Sequence, residues 1–573
     1  MKLVYRSLAR AVVAVLLLLG FASAYGQQRL VTGQVTDDSG NAMPGVNVIR
    51  KGTSTGTATD GSGRFSIEAS DDDVLVISFI GYISQEIRVG TQSNISVALS
   101  EDVSTLNEVV VVGYGEMRRA DLTTAQTSIS SADIGRTVNT TLEQAIQGRS
   151  AGVYVTQNTG APGGGISVNI RGINSINGSN EPLYVIDGVQ IQGSISASGT
   201  NPLASLNPSD IASMEILQGP SATAIYGSRG TNGVVLITTK RGKAGDIKIS
   251  YDYSYSLQAP PDNIPVMNLR QYAQMENEYK AIAGGEVRED FLDPTILGEG
   301  TNWQDELFKS AAMQKHQVSV SGGGDKTTFY FSGERMLQDG VALGSGFERT
   351  SVRVNLDVKP RDWFFIGGNV NYAKTDETLA ANNLNGNNLI VNAIQLGPQI
   401  PVRNLDGTYG GGNPANNAEQ FAPPNPVGIA EISTNELRRD RILGGLNAGV
   451  RILDGLELRT NFNTDIGFYH STYYLPTYNF GWQQNSNAYL ENNHNLNTYW
   501  GWSQTIQYTK QLGRHHINAM ATHEAQESSW KNLRANRSGF LTNGVLDLNA
   551  GDAATSGNGG GQGEWAMESY LGR

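Results

Sequence analysis

The six histidines at 316, 470, 494, 515, 516 and 523 are the side chains in this sequence best suited to holding a metal or moving a proton, and their spacing favours neither. His523-Glu524 starts like a zinc-protease motif, but no second histidine follows at the spacing that would put two imidazoles on one helix face. No glycine-rich turn ends in Gly-Lys-Ser/Thr, so there is no loop whose backbone N–H groups would cradle a triphosphate. Gly52-Thr53-Ser54-Thr55-Gly56 spells the serine nucleophile elbow, yet that elbow needs a strand before it and a helix after it, and here short strands flank it on both sides. The glycines between 160 and 165 read as a loop rather than a phosphate cradle. Asp406, Glu431 and Glu436 sit in long polar stretches where a solvated surface explains them as well as a sugar contact does. No catalytic residue, metal ligand or cofactor is assigned, and the chain is not expected to be an enzyme.

The elements that carry these residues point to export. Residues 11–19 are nine consecutive apolar positions, about half of the roughly 20 that a membrane-spanning helix requires. Lys2, Arg6 and Arg10 precede the run and Ala22, Ser23 and Ala24 follow it, which is the pattern of a cleaved secretory signal over 1–26, cut after Ala24 or Gly26. An uncleaved anchor is the competing reading. No cysteine is present, which excludes a lipid anchor through an N-terminal Cys and suits an oxidising compartment. The net charge of −12 becomes more acidic once the basic leader is removed, so nucleic acid is not an expected partner.

Residues 27–100 read as short alternating strands broken by turns at 38–40, 60–63 and 71–73, a small antiparallel sandwich in which 74–79 is the central strand. Gly33-x-Val35, Gly40-x-x-x-Pro44-Gly45-x-x-Val48, Thr59-Asp60 with Gly63 and Phe65, and Ser78-Phe79-Ile80-Gly81-Tyr82 together resemble the carboxypeptidase-regulatory-like domain. That module carries no His-Glu zinc site, so the resemblance implies no peptidase. In the linker 101–124, Val109, Val110, Val111 and Val112 have high strand propensity and need a partner. They are either a last strand of the sandwich or a strand offered to another protein's sheet edge.

Residues 125–241 read as mixed α/β. Thr140 and Glu143 are spaced as a capping box for a helix over 142–147, a second helix is expected from Ser209-Asp210, and a third from Pro220 to a stop at Gly227. Strands are expected at 153–155, 166–170, 182–186, 214–217 and 234–239. In this stretch 142–148 (Leu-Glu-Gln-Ala-Ile-Gln-Gly), 169–172 (Asn-Ile-Arg-Gly), 182–188 (Pro-Leu-Tyr-Val-Ile-Asp-Gly), 215–230 and 232–240 resemble the plug of a TonB-dependent receptor of the SusC/RagA type.

From 245 to 573 the pattern becomes long alternating strands. Ile247, Ile249, Tyr251, Tyr253, Tyr255 and Leu257 alternate with polar residues, and hairpins follow at 318–331, 352–366 and 446–462, with aromatics at Trp500, Trp502 and Tyr508. A soluble antiparallel sheet also alternates, but with export and long polar loops (382–388, 407–417) the reading is an outer-membrane β-barrel. About 330 residues fall short of the roughly 22 strands of plugged transporters, so a partial barrel is expected. The fold class is therefore mostly β: a sandwich, a mixed plug and part of a large transmembrane antiparallel barrel.

The resemblance implies the rest. Glu108, Val109, Val110, Val111, Val112 and Gly113 occupy the Ton box position, to be paired by TonB with ExbB and ExbD behind it. A SusD-like lipoprotein is the implied lid, oligosaccharide or peptide the implied substrate, and the outer membrane of a Gram-negative cell the implied site, in contact with its lipid. A siderophore or corrinoid receptor is the main alternative, against which the sandwich and the 226–230 Tyr-Gly-Ser-Arg-Gly variant weigh. An exported sandwich adhesin is opposed by the plug motifs, and a secreted hydrolase by the missing triad.

Overall fold

A computed structural model describes residues 29–573 apart from 39, 54, 80–81, 83, 101–108, 113–114, 119–125, 138–139, 158, 193–200, 220–222, 381–387, 416–418 and 514. The expected signal segment 1–26 lies outside the described residues. The chain divides into two compact units, residues 1–123 and 124–573.

In the first unit, Arg29–Asp37 pairs antiparallel with Arg64–Ala69 and parallel with Asn94–Leu99. The facing sheet has the order Gly56–Ala58, Asn47–Arg50, Val74–Ser78, Gln85–Arg88, so the apolar Val74–Ser78 run is an interior strand as expected. Alternation sends Val31, Val35, Phe65, Ile67, Val97 and Leu99 inward onto Val48, Leu75 and Ile77. Gly33 is required by packing: a Cβ there would stand 2.4 Å from the Phe65 ring and 2.3 Å from the Ile95 carbonyl oxygen.

In the second unit a five-stranded sheet has the order Gln126–Ser130, Ile211–Leu217, Val234–Thr239, Leu183–Ile186, Val189–Gln192. Val153–Gln157 and Ile166–Ile170 form a separate hairpin. Asp187 and Gly188 close the 183–192 hairpin with positive φ at both positions (48° and 94°), as a two-residue loop of this kind demands.

The three expected helices do not form as read. Residues 142–149 turn more tightly, through i to i+3 bonds such as Ala145 N–H to the Leu142 carbonyl and Ile146 N–H to that of Glu143. Thr140 gives its N–H and hydroxyl to Gln144 Oε1, not to a capping Glu143, whose side chain is buried with Leu142, Ala145 and Ile146. Pro208–Asp210 is one 3₁₀ turn ending directly in the strand Ile211–Leu217, because the Asp210 carbonyl already accepts the Lys240 N–H at 2.7 Å. Pro220 lies outside the described residues, and Ala224–Gly230 is 3₁₀ with a break at Gly227.

Around this plug runs a ten-stranded antiparallel meander: Gly245–Gln258, Ala311–Gly323, Thr327–Asp339, Gly346–Arg361, Phe364–Thr378, Thr434–Leu453, Leu456–Leu475, Tyr489–Leu512, His515–Ser538 and Gly557–Gly572. The expected hairpins pair as read, with Val320 opposite Phe331 and Leu446 opposite Phe462. The sheet is not closed among the described residues, its outer strands being the first and the last. One end carries short turns at 324–326, 362–363 and 454–455, and the other carries long loops. Those loops are less polar inside than their sequence suggests. Helices Trp303–Leu307, Leu389–Gln395 and Pro426–Ile432 bury Trp303, Leu307, Leu389, Ala393, Val427 and Ile429 with Phe480.

Candidate functional site

Alternation turns every second residue of the barrel sheet toward the plug, and at those positions the sequence is mostly polar, with Met313, Met336, Phe347 and Leu443 as apolar exceptions. In Gly346–Arg361 the inward Arg349, Ser351, Arg353 and Asn355 are buried, while Val352, Val354 and Leu356 between them are exposed. Arg439 and Arg441 are likewise buried on the face opposite Leu446. Apolar outside and polar inside is the reverse of a soluble sheet, and it is the arrangement of a barrel wall in lipid. Among the described residues no helix is long and apolar enough to cross a membrane.

The inward arginines hold the plug. Arg349 donates Nε and Nη2 to the two carboxylate oxygens of Glu334 at 2.8 and 3.0 Å, and Nη1 to the carbonyls of Ala204 at 2.8 Å and Thr140 at 3.2 Å. Arg441 grips Asp465 in the same forked way at 2.8 and 2.6 Å and reaches Ser205 Oγ at 3.3 Å. Arg439 donates to the Asn201 carbonyl at 3.0 Å, and Arg353 bonds Asp187 and the Thr239 hydroxyl. Nearby Lys315 donates to Ser209 Oγ at 2.9 Å, and Asp210 accepts from Gln317 at 3.1 Å and the Tyr330 hydroxyl at 2.8 Å. Only a guanidinium saturates a carboxylate with two parallel bonds and still has a nitrogen left for a backbone carbonyl. Plug residues 201–210 are thereby fixed to the wall along their length.

On another side of the plug, Arg229 bonds Gln526 and lies 3.9 Å from Glu524, which also accepts from Gln190 Nε2 at 3.1 Å. By contrast Gln126–Ser130, one of the two edge strands of the plug sheet, pairs among the described residues only with Ile211–Leu217. Gln126 Nε2 and Ser128 Oγ both donate to the buried Glu215 carboxylate, at 2.9 and 2.7 Å. Burial is the main force on the plug's acids. It pushes Glu143 up to about 7, partly opposed by the Asn201 amide, and raises Asp210 against the hydroxyls of Ser332 and Tyr330.

The seat combines these hydrogen bonds and ion pairs, which water can replace if the plug moves, with a small apolar contact of Ala204 on Met313, Met336 and Phe347 and of Leu443 on the plug core. No covalent chemistry is implied by it. Of the candidate TonB-binding residues, Glu108 and Gly113 lie outside the described residues. Val109–Val112 is a strand paired antiparallel with Gly115–Arg118, Val109 opposite Arg118, and among the described residues it joins neither sandwich sheet. Asp406 caps its own turn at Thr408 and Glu431 pairs with Arg403 at 2.6 Å. Reading for catalytic groups passed over the inward arginines. Their signal was present as charge at alternate positions of an otherwise apolar strand. It also missed the pairing of His470 with His494, whose ring centroids are 4.3 Å apart.

Comparison with known proteins agrees with this geometry. Residues 118–234 match the TonB-dependent Receptor Plug Domain, and residues 31–111 match the CarboxypepD_reg-like domain. The chain is 34% identical over 549 residues to TonB-dependent receptor P3 of Formosa agariphila, which covers 94% of this chain and 52% of that one. It is 32% identical to TonB-dependent receptor SusC of Bacteroides thetaiotaomicron, over 88% of this chain and 50% of the relative. The fold resembles that of the RagAB peptide importer in its open-open state, with a TM-score of 0.72 at 22% identity over 81% of this chain and 54% of that one. The chain spans about half the length of the curated relatives it matches.

Proposed function

We propose, from the premise that this chain is homologous to the SusC/RagA-type TonB-dependent receptors of the bacterial outer membrane, that it serves energised import of a nutrient through a plugged barrel. The observation that carries this is the inverted wall: buried arginines face the plug and exposed Val, Leu, Ile and Tyr face outward. The compartment on the turn side of such a barrel has no nucleotide energy source, so work has to arrive through a partner protein. We assign that contact to residues 108–113, where TonB adds a strand to the valine run. A pull there passes along the chain to Gln126–Ser130, an edge strand of the plug sheet that among the described residues pairs only with Ile211–Leu217. The segment 201–210, tied to the wall by Arg349, Arg439 and Arg441, stays in place.

A SusD-like lipoprotein as lid, an oligosaccharide as substrate and cleavage of residues 1–26 complete the reading, each resting on family resemblance. Peptide is the second substrate reading, because the RagAB relative of this fold is a peptide importer. The test is to purify the full-length receptor from fractionated outer membranes, identify what co-purifies, and titrate it calorimetrically with glycan and peptide panels. Outer-membrane recovery with a lipoprotein partner and glycan heats supports the reading. A peptide-only response replaces the substrate, and recovery as a soluble protein removes the barrel.

A further inference from the structure

The outward face of the barrel is largely apolar, with Gln504, His523 and Glu527 interrupting it on the later strands, and at its loop-side margin two rungs gather basic side chains. Arg438, His470, His494 and Leu533 stand opposite one another across four neighbouring strands, and Asp440, Phe468, Leu496 and Lys531 form the adjacent rung. Directly paired residues share a face, and so do residues two apart, so all eight lie on the face of Leu446, Phe462 and Trp502, away from the plug. They line a groove of about 300 Å³.

Its depth in the membrane follows from the strand. His470 lies twelve positions beyond Leu458 in Leu456–Leu475. At about 3.4 Å per residue and a tilt of roughly 40° this is about 30 Å, just past an outer-membrane apolar band of about 25 Å. The groove therefore opens where lipid headgroups begin. An ionisable group on the lipid face costs roughly 2–4 kcal/mol at the midplane and little at the margin. Four basic side chains gathered there meet an anion at small expense.

The individual groups are arranged to receive one. Arg438 donates Nε to Asp376 at 2.7 Å, which orients the guanidinium with its Nη atoms toward the groove and unbonded among the described residues. Lys531 is exposed and forms no ion pair among the described residues. His470 contacts the Thr472 hydroxyl through Nε2 at 3.2 Å, and its ring centroid lies 4.3 Å from that of His494. Asp440 also faces the groove and accepts the Tyr372 hydroxyl at 2.6 Å, leaving an acceptor for a ligand hydroxyl. Phe468, Leu496 and Leu533 give the groove an apolar side.

We propose that this groove binds a phosphorylated glycolipid of the outer leaflet, its phosphate between Arg438, Lys531 and the two imidazoles, a sugar hydroxyl on Asp440, and its acyl chains over Phe468, Leu496 and Leu533. The inference rests on the outer-membrane reading above, so membrane fractionation comes first. Recovery outside the outer membrane overturns that reading, whereas recovery there with no lipid preference overturns this one alone. Full-length receptor in phosphatidylcholine nanodiscs is titrated with bisphosphorylated lipid A, with the same lipid enzymatically dephosphorylated, and with inorganic phosphate, and adducts are read by native mass spectrometry. Phosphorylated lipid A is retained, and R438Q/K531Q weakens retention about tenfold without changing outer-membrane recovery. K531Q alone, at an exposed site, gives a smaller loss in the same direction should the double variant assemble poorly. Equal retention of the dephosphorylated lipid, unchanged retention by the variants, or a phosphate adduct without a lipid adduct overturns the assignment.

Discussion

Arg349 and Glu334, diagonal neighbours on adjacent barrel strands, are joined by two parallel bonds of 2.8 and 3.0 Å, both side chains fully buried, and the remaining Arg349 nitrogen holds the plug carbonyls of Ala204 and Thr140. Removing one partner leaves an uncompensated buried charge, which costs about 3–5 kcal/mol. Arg349→Met is expected to loosen residues 201–210 from the wall as well as destabilise it, and so to raise ion leakage through the full-length receptor in planar bilayers. Glu334→Gln strands the Arg349 cation and is expected to destabilise at least as much, but Arg349 keeps its bonds to the plug, so leakage is expected to rise less. Equal, wild-type leakage in both variants would show that the pair does not seat the plug.

Glu143 gives the plug a pH dependence. Burial raises its carboxyl from 4.5 to about 7. A raised acid binds its proton more tightly in the folded state, so it has no effect on stability below the unfolded value near 4.5. Its penalty grows as pH rises from there and is complete above about 7, on the order of 3 kcal/mol. Plug unfolding followed in urea is expected to become easier between pH 5 and 8, and Glu143→Gln to flatten that dependence. A wild-type profile in the variant would remove Glu143 as its source.

Much of the fold was legible because strands announce themselves by a period of two. The turn at Asp187-Gly188 and the hairpin pairing Leu446 with Phe462 follow from local chemistry alone. The helices were not legible, since capping signals at Thr140 and Ser209 are local and tertiary bonds override them: Thr140 spends its donors on Gln144, and Asp210 is drawn to Tyr330 and Gln317. The polar seat was hidden for a related reason. Arg439 and Asn201 are far apart in the chain, and nothing in either neighbourhood names the other.

The valine run makes a backbone contact in this reading, so the test has to remove a backbone donor. Val110→Pro takes away one N–H and cannot continue a ladder. In the full-length receptor it is expected to abolish energised uptake while leaving substrate binding at the surface unchanged, measured as accumulated and as surface-bound radiolabelled ligand. Val110→Thr keeps the N–H and the strand propensity, and is expected to retain uptake. Uptake at the wild-type rate by Val110→Pro would mean that TonB does not pair with residues 108–113.

If the edge strand Gln126–Ser130 is what moves first, tying it down should stop transport without touching either end of the pathway. Thr127 stands directly opposite Ile216 on Ile211–Leu217. Cross-strand Cβ atoms lie about 4.5–5.5 Å apart, close enough for a disulfide after a small adjustment, and the chain has no native cysteine to interfere. The oxidised Thr127→Cys/Ile216→Cys receptor is expected to bind substrate and TonB normally yet transport nothing, and reductant is expected to restore uptake. The Glu215 latch adds to this: Glu215→Ala frees Gln126 and Ser128 and is expected to lower the force at which the strand detaches when the Ton box is pulled by atomic force microscopy. Full transport by the oxidised double-cysteine receptor would place the moving element elsewhere in the plug.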